Sequence, residues 1–309
     1  MTFFTSLLLF YQFFYISLHW KYNMPTLMKT KKVLFITQEI FPYIDEAELS
    51  LLGRRVPQFV QEKGREIRTF MPKWGAINER RSQLHEVIRL SGMNLIIDGT
   101  DHLLILKVAS IPSARMQVYF IDNDDYFMKR LEACDEGGVE YPDNGERAIF
   151  YARGVLETVK KLRWVPDIIH CQGWISTIAP LFIKTCYREE PSFRDSRIIF
   201  TPGGEELKLL TTDQFQANII FKNMSGDELK PYPKNLSMMD LYHLALDYSD
   251  GVMFTPGTYN EELHRYAEEH GLPVYGPVDI TDRSNGTDVV NFFDSVWSEG
   301  KVEEPAKDF

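Results

Sequence analysis

Short apolar runs recur along most of the chain, separated by longer amphipathic segments, and that alternation leaves few folds open. Val33–Thr37, Glu66–Met71, Gln117–Ile121, Asp167–Cys171, Arg197–Thr201, Gly251–Thr255 and Pro273–Tyr275 each read as a short strand. The segments between them are long enough for crossover helices. The pattern therefore predicts an α/β fold, a doubly wound and mainly parallel sheet with helices packed on it. Glu146–Leu162 carries the clearest helical stripe, with Ile149, Ala152, Val155, Leu156, Val159 and Leu162 on one face. Thr258–His270 reads as another helix, opened by a Thr258/Glu261 capping box and closed by Gly271.

Between Leu84 and Ile121 the rhythm changes to brief runs broken by Gly92, Gly99-Thr100-Asp101 and Pro112, which predicts a β-hairpin insertion. No repeat period and no Pro/Gly/Ser linker divides the 309 residues. One domain is expected over 28–298, followed by an acidic tail at 299–309. Residues 1–27 form an apolar extension in which Phe3–Leu18 is nearly continuous. It lacks the basic start and small-residue cleavage site of a signal peptide. Two readings stand for it, a start codon placed upstream of the true one or an N-terminal anchor, and membrane contact is expected only under the second.

Charge narrows the partners. Asp plus Glu number 44 against 34 Lys plus Arg, a net charge of −10, and no basic stripe is present. Nucleic acid is excluded as the main partner, because phosphate contacts dominate such binding. Three cysteines, Cys134, Cys171 and Cys186, fit neither a disulfide framework nor a zinc site, and point to a reducing cytoplasm. The histidines are not spaced for a metal, and no metal is expected.

In a doubly wound sheet, ligands bind beyond the carboxyl ends of the strands. The loop after the first strand holds Glu39 and then Asp45, Glu46 and Glu48; it contains neither GxGxxG nor GxxxxGK, so no cofactor is called for. Glu39 is either a sugar-hydroxyl ligand or a solvated loop carboxylate. His170 ends an apolar strand, where it is a core residue or a site residue, and Trp174 is a sugar platform or core. Two strand ends read alike, Thr201-Pro202-Gly203-Gly204 and Thr255-Pro256-Gly257-Thr258. They are similar strand-to-helix turns, or amide sites for an anion or hydroxyl.

An ordered series of words then becomes informative. Lys32–Ile36 with Glu39, Pro42 and Tyr43, then Lys63-Gly64-Arg65-Glu66, Met71-Pro72-Lys73-Trp74-Gly75 and Val118–Asn123 resemble the opening of bacterial glycogen and starch synthases. So do Asp143-Asn144 with Arg147 and Phe150, and Trp164–Cys171 with Trp174. The resemblance implies the N-terminal, acceptor-side half of a GT-B architecture, Rossmann-like, in a family that transfers glucose from ADP-glucose to an α-1,4-glucan. It implies Glu39, Asp143, Asn144, His170 and Trp174 as substrate-side residues.

Three departures accompany it. The family's Lys-Thr-Gly-Gly-Leu turn, which approaches the donor phosphates, aligns with Asp45-Glu46-Ala47-Glu48-Leu49. Its His-Asp-Trp aligns with Gln172-Gly173-Trp174, and its donor-holding C-terminal domain has no counterpart in this sequence. Two functions follow as expectations. The first is a glycosyltransferase of glycogen synthase type, acting on a sugar nucleotide and completed by a protein partner that supplies a C-terminal GT-B domain. The second is a non-catalytic glucan-binding or docking partner of a glycogen enzyme.

Overall fold

The computed structural model describes residues 30–204, 207 and 214–299. The apolar extension 1–27, the tail after Glu299, and Glu205 and Glu206 lie outside the described residues.

The seven expected strands are all present, as β1 (Lys32–Ile36), β2 (Glu66–Pro72), β6 (Met116–Asp122), β7 (Ile168–Gln172), β8 (Arg197–Thr201), β9 (Gly251–Met253) and β10 (Val274–Tyr275). The insertion supplies β3 (His85–Glu86), β4 (Met93–Ile97) and β5 (Thr100–Ile111). The order across the sheet is β10-β9-β8-β7-β1-β2-β6-β5-β3, with β4 paired to β5. From β10 to β6 every pairing is parallel, while β5 runs antiparallel to β6, β3 and β4. The hairpin thus extends the edge of a parallel sheet. Strand order reverses beside β1, which has β2 on one side and β7 on the other. That makes the β1/β7 boundary the switch point where such sheets open a crevice.

Side-chain alternation divides the core in two. Leu34 and Ile36 join the layer under α2 (Asn144–Lys161), α3 (Ile178–Lys184) and α5 (Met238–Asp247). Val33 and Phe35 join the layer under α1 (Glu48–Glu62) and α7 (Gly286–Glu299). Each fully buried Leu, Ile, Val or Phe contributes roughly 1.5–3 kcal/mol of transfer free energy. Asp294 of α7 stitches the second layer to the sheet. Its Oδ1 accepts from the amide and hydroxyl of Thr30, both at 2.8 Å, and its Oδ2 accepts from Arg65 Nη2 at 2.8 Å.

Two short helices, α4 (Phe215–Ile219) and α6 (Glu261–Glu269), complete the described elements. For α6 the expected start is corrected. Thr258 Oγ1 is spent on the Thr255 amide at 2.9 Å, so Asn260 becomes the N-cap, accepting from the Leu263 amide at 3.1 Å. Gly271 closes the helix at φ +69° as expected. No helix among the described residues is long and apolar enough to cross a membrane.

Candidate functional site

Four of the singled-out residues meet at the switch point. Gln38 and Glu39 follow β1; Gln172, Gly173 and Trp174 end or follow β7. Gln38 ties the two loops together. Its Oε1 accepts from the Trp174 amide at 3.0 Å, its carbonyl accepts from Trp74 Nε1 at 2.8 Å, and its Nε2 donates to Glu39 Oε1 at 3.0 Å. Gly173 has φ +78°, and a Cβ there would sit 2.3 Å from Gln38 Oε1. An aspartate at 173 would therefore collide with Gln38 and strain the backbone as well. The Gly173 departure and the neighbouring Gln38 form one packed unit, which nothing in the sequence around 173 announces.

His170 is wholly buried. Its Nδ1 lies 3.1 Å from Gln172 Nε2 and its Nε2 lies 2.9 Å from Thr201 Oγ1, with no carboxylate among the described residues beside the ring to favour a charge. Burial pushes its pKa down to about 3. The ring packs edge-on against Phe35 and Phe293, with centroids 5.8 and 5.3 Å away. Trp174 is also fully enclosed, 6.3 Å from Trp74, and shows no ring face to solvent. A sugar packed on Trp174 has no exposed surface there to use. Glu39 is the most accessible of the group, at 9% exposure.

Asp143 and Asn144 lie elsewhere, at the start of α2. Arg130 grips Asp143 with both terminal nitrogens, through Nη1 at 2.6 Å and through Nη2. Asn144 donates to the Ala133 carbonyl at 2.8 Å and accepts from Arg147 at 2.7 Å. Buried Arg147 donates to the carbonyls of Tyr126, Leu131 and Glu132 as well. Desolvation, reinforced by Arg130, lowers its pKa to about 9. This word of the sequence fastens the loop between β6 and α2.

The acidic turn lies beside the same carboxyl edge. Asp45 and Glu46 are exposed, and Ala47 is the N-cap of α1. Ala47 carries no capping oxygen, so Ser50 substitutes: its Oγ accepts from the Ala47 amide at 2.9 Å and donates to the Asp45 carbonyl at 2.7 Å. Glu48 takes the first helical position, where the helix dipole favours an anion. Its carboxylate accepts from the Gly257 amide at 3.3 Å. A Cβ at Gly257 would meet Glu48 Cγ at 2.7 Å, so the contact requires glycine. The other Pro-Gly turn is engaged too, with the Gly203 amide donating to Tyr242 Oη at 3.0 Å. The amides of Gly203, Gly257 and Thr258 are thus satisfied from within the chain.

Between those two turns lies a pocket of about 380 Å³, walled by Gly203, Met238, Tyr242, Gly257, Tyr259 and Leu263 among others. That volume is within the range of small-ligand clefts, roughly 300–1,000 Å³. Tyr259 is 43% exposed and offers an aromatic face, with the side chains of Ser237 and Asn260 as polar neighbours. Sequence reasoning missed Tyr259, although it stands two residues after Gly257 at a strand end. Among the described residues no cluster of acidic, His or Cys side chains is arranged to hold a metal ion.

Comparison with known proteins places this geometry. The family model for the starch synthase catalytic domain matches residues 32–274. A glycogen synthase of Pelodictyon phaeoclathratiforme is 32% identical over 79% of this chain and 52% of its own length. One from Chlorobium phaeovibrioides is 32% identical over 75% of this chain and 47% of its own. The chain thus spans about half the length of these relatives. Among solved structures, the catalytic domain of starch synthase IV from Arabidopsis thaliana, bound to ADP and acarbose, superposes with a TM-score of 0.62 at 16% identity. That match covers 79% of this chain and 49% of that one, and shows a shared fold. With the family model running through most of its length, this chain belongs to the starch synthase catalytic domain family.

Proposed function

We propose that the chain binds an α-1,4-glucan as the acceptor-side half of a glycogen synthase-type fold, and that on its own it does not hold the donor diphosphate. One observation carries this reading: Glu48, the first residue of α1, bonds its carboxylate across to the Gly257 amide, with Asp45 and Glu46 exposed beside it. Two like charges about 4 Å apart repel by about 4 kcal/mol at an effective dielectric near 20. A diphosphate brought to this turn would meet three carboxylates and an amide already engaged. A neutral sugar meets no such penalty.

The glucan reading is supported by the pocket beside that turn. A pyranose ring has an apolar face that packs on an aromatic ring, and Tyr259 supplies one with polar atoms at its rim. Tyr259→Ala is expected to weaken retention on glycogen about tenfold, equivalent to about 1.4 kcal/mol, with the far-ultraviolet circular dichroism unchanged. Equal retention by both proteins would remove the pocket from the proposal.

A second reading is favoured by the family match: glucosyl transfer of the kind named for the glycogen synthase relatives, with the donor brought by a partner. There the chain presents the glucan and the partner holds the sugar nucleotide. Addition of ADP-glucose to the chain together with such a partner, followed by incorporation of labelled glucose into glycogen, separates the two readings.

A further inference from the structure

At the opposite, amino end of the parallel strands lies a second and larger cavity of about 460 Å³. It is enclosed by the last turn of α1 at Gln61, the start of β2 at Arg65 and Ile67, the end of β5 at Ser110, and the start of β6 at Arg115 and Gln117. Of its lining, only Arg65 and Glu66 fall within the family-matched words, and none of its residues reaches the site at the carboxyl edge.

Its charge is unusual for a chain with a net charge of −10. Arg65 and Arg115 line it. Arg54 lies two turns from Gln61 on the same face of α1 (i, i+7), and spends its terminal nitrogens on Met116 Sδ at 3.4 Å and Ser113 Oγ at 3.2 Å, neither of them anionic. Arg115 is exposed, is held at φ +54°, and makes no ion pair among the described residues. Its main chain is fixed instead, because its carbonyl accepts from Gln61 Nε2 at 3.0 Å.

Of the carboxylates in the neighbourhood, Asp294 neutralises Arg65, which leaves Arg115 as the unpaired cation of the lining, and the others are committed elsewhere. Asp294 is bonded to Arg65 and Thr30. Glu62 pairs with Arg283 at 2.9 Å. Glu66 lines the cavity through its backbone: Ile67 faces the α1/α7 layer, so the Glu66 side chain points to the other face, where it accepts from Trp164 Nε1 at 2.6 Å. The negative end of the α1 dipole also approaches the cavity. That dipole acts only over the last turn and is weaker than a charge-assisted hydrogen bond from the Arg115 guanidinium.

We propose that this cavity binds the oxyanion group of a small molecule, a carboxylate or a phosphate, with Arg115 as the principal donor and Ser110 and Gln117 as neutral partners. The fork of Arg115 matches either planar or tetrahedral oxyanions. The apolar wall at Ile67 and Ile111 receives the rest of the ligand.

The full chain is melted in sodium phosphate and in sodium malonate, each titrated against sodium chloride at equal ionic strength. At least one anion is expected to raise the melting temperature saturably, as a ligand that binds only the folded state must. Arg115→Asn, which tolerates the left-handed backbone, is expected to need at least tenfold more anion for the same rise. Gln117→Glu, at an exposed position, sets a carboxylate at the mouth and is expected to abolish the response. A response to phosphate alone assigns a phosphate-bearing ligand, and one to malonate a carboxylate. No saturable response in the parent chain, or the same response in both variants, overturns the proposal. Glucan retention by Arg115→Asn should match the parent, so failure here is distinct from failure of the glucan pocket.

Discussion

In the middle of β7, the histidine that the sequence leaves as core or site residue is held neutral by its surroundings. His170 is buried with a pKa lowered from 6.5 to about 3, because burial penalises the imidazolium. The unfolded chain binds the proton from about pH 6.5 downward, and the folded chain only near pH 3. Stability from this group is complete above pH 6.5 and is lost progressively as pH falls between those values. Between about pH 7 and pH 5 the loss is about 2 kcal/mol. His170→Asn should lower stability at pH 7 yet flatten the fall in the urea midpoint between these pH values. An identical fall in both proteins would show that His170 titrates normally and is not sealed. Its place in an apolar strand was legible in the sequence, although it lies in the middle of β7 and not at its end; its neutrality was not, since that depends on Phe293 and Thr201, far away along the chain.

Among the elements, the parallel strands were legible to within a residue or two, because each is an apolar run buried on both faces. The hairpin was legible from its glycines, though not the 12-residue length of β5 or its pairing along β6. The start of α6 was misread because Thr258 has a nearer partner in Thr255 than the helix it precedes. The α7 clamp left no local signal at all, as Asp294 lies 264 residues from Thr30 and 229 from Arg65. Removing it leaves Arg65 largely enclosed and unpaired. Asp294→Ala should therefore cost about 3–5 kcal/mol in urea denaturation. A loss below about 1 kcal/mol would mean that α7 is held by its apolar face alone.

For the whole molecule, the family was legible as an ordered set of words, and the departures at 45–48 and 172–173 were visible from the same alignment of words. Their structural meaning was not. Glu48 reaches Gly257 across 209 residues, and Gln38 reaches Trp174 across 136. Gly257 makes room for Glu48, and Gly173, itself one of the departures, makes room for Gln38. The carboxyl edge of the sheet is thus packed around its substitutions, with a pocket between the two Pro-Gly turns and Glu48 at the start of α1. The arginine-lined cavity sits at the other end of the sheet, and α1 joins the two regions with Glu48 at one end and Gln61 at the other, about 20 Å apart along the helix.

The most direct measurement is isothermal titration calorimetry of the full chain with maltoheptaose and with ADP-glucose in separate runs. Saturable heat with maltoheptaose and none with ADP-glucose is predicted. Binding of ADP-glucose by the chain alone would contradict the central claim, because a diphosphate would then have found a place despite Glu48 at the N-terminus of α1.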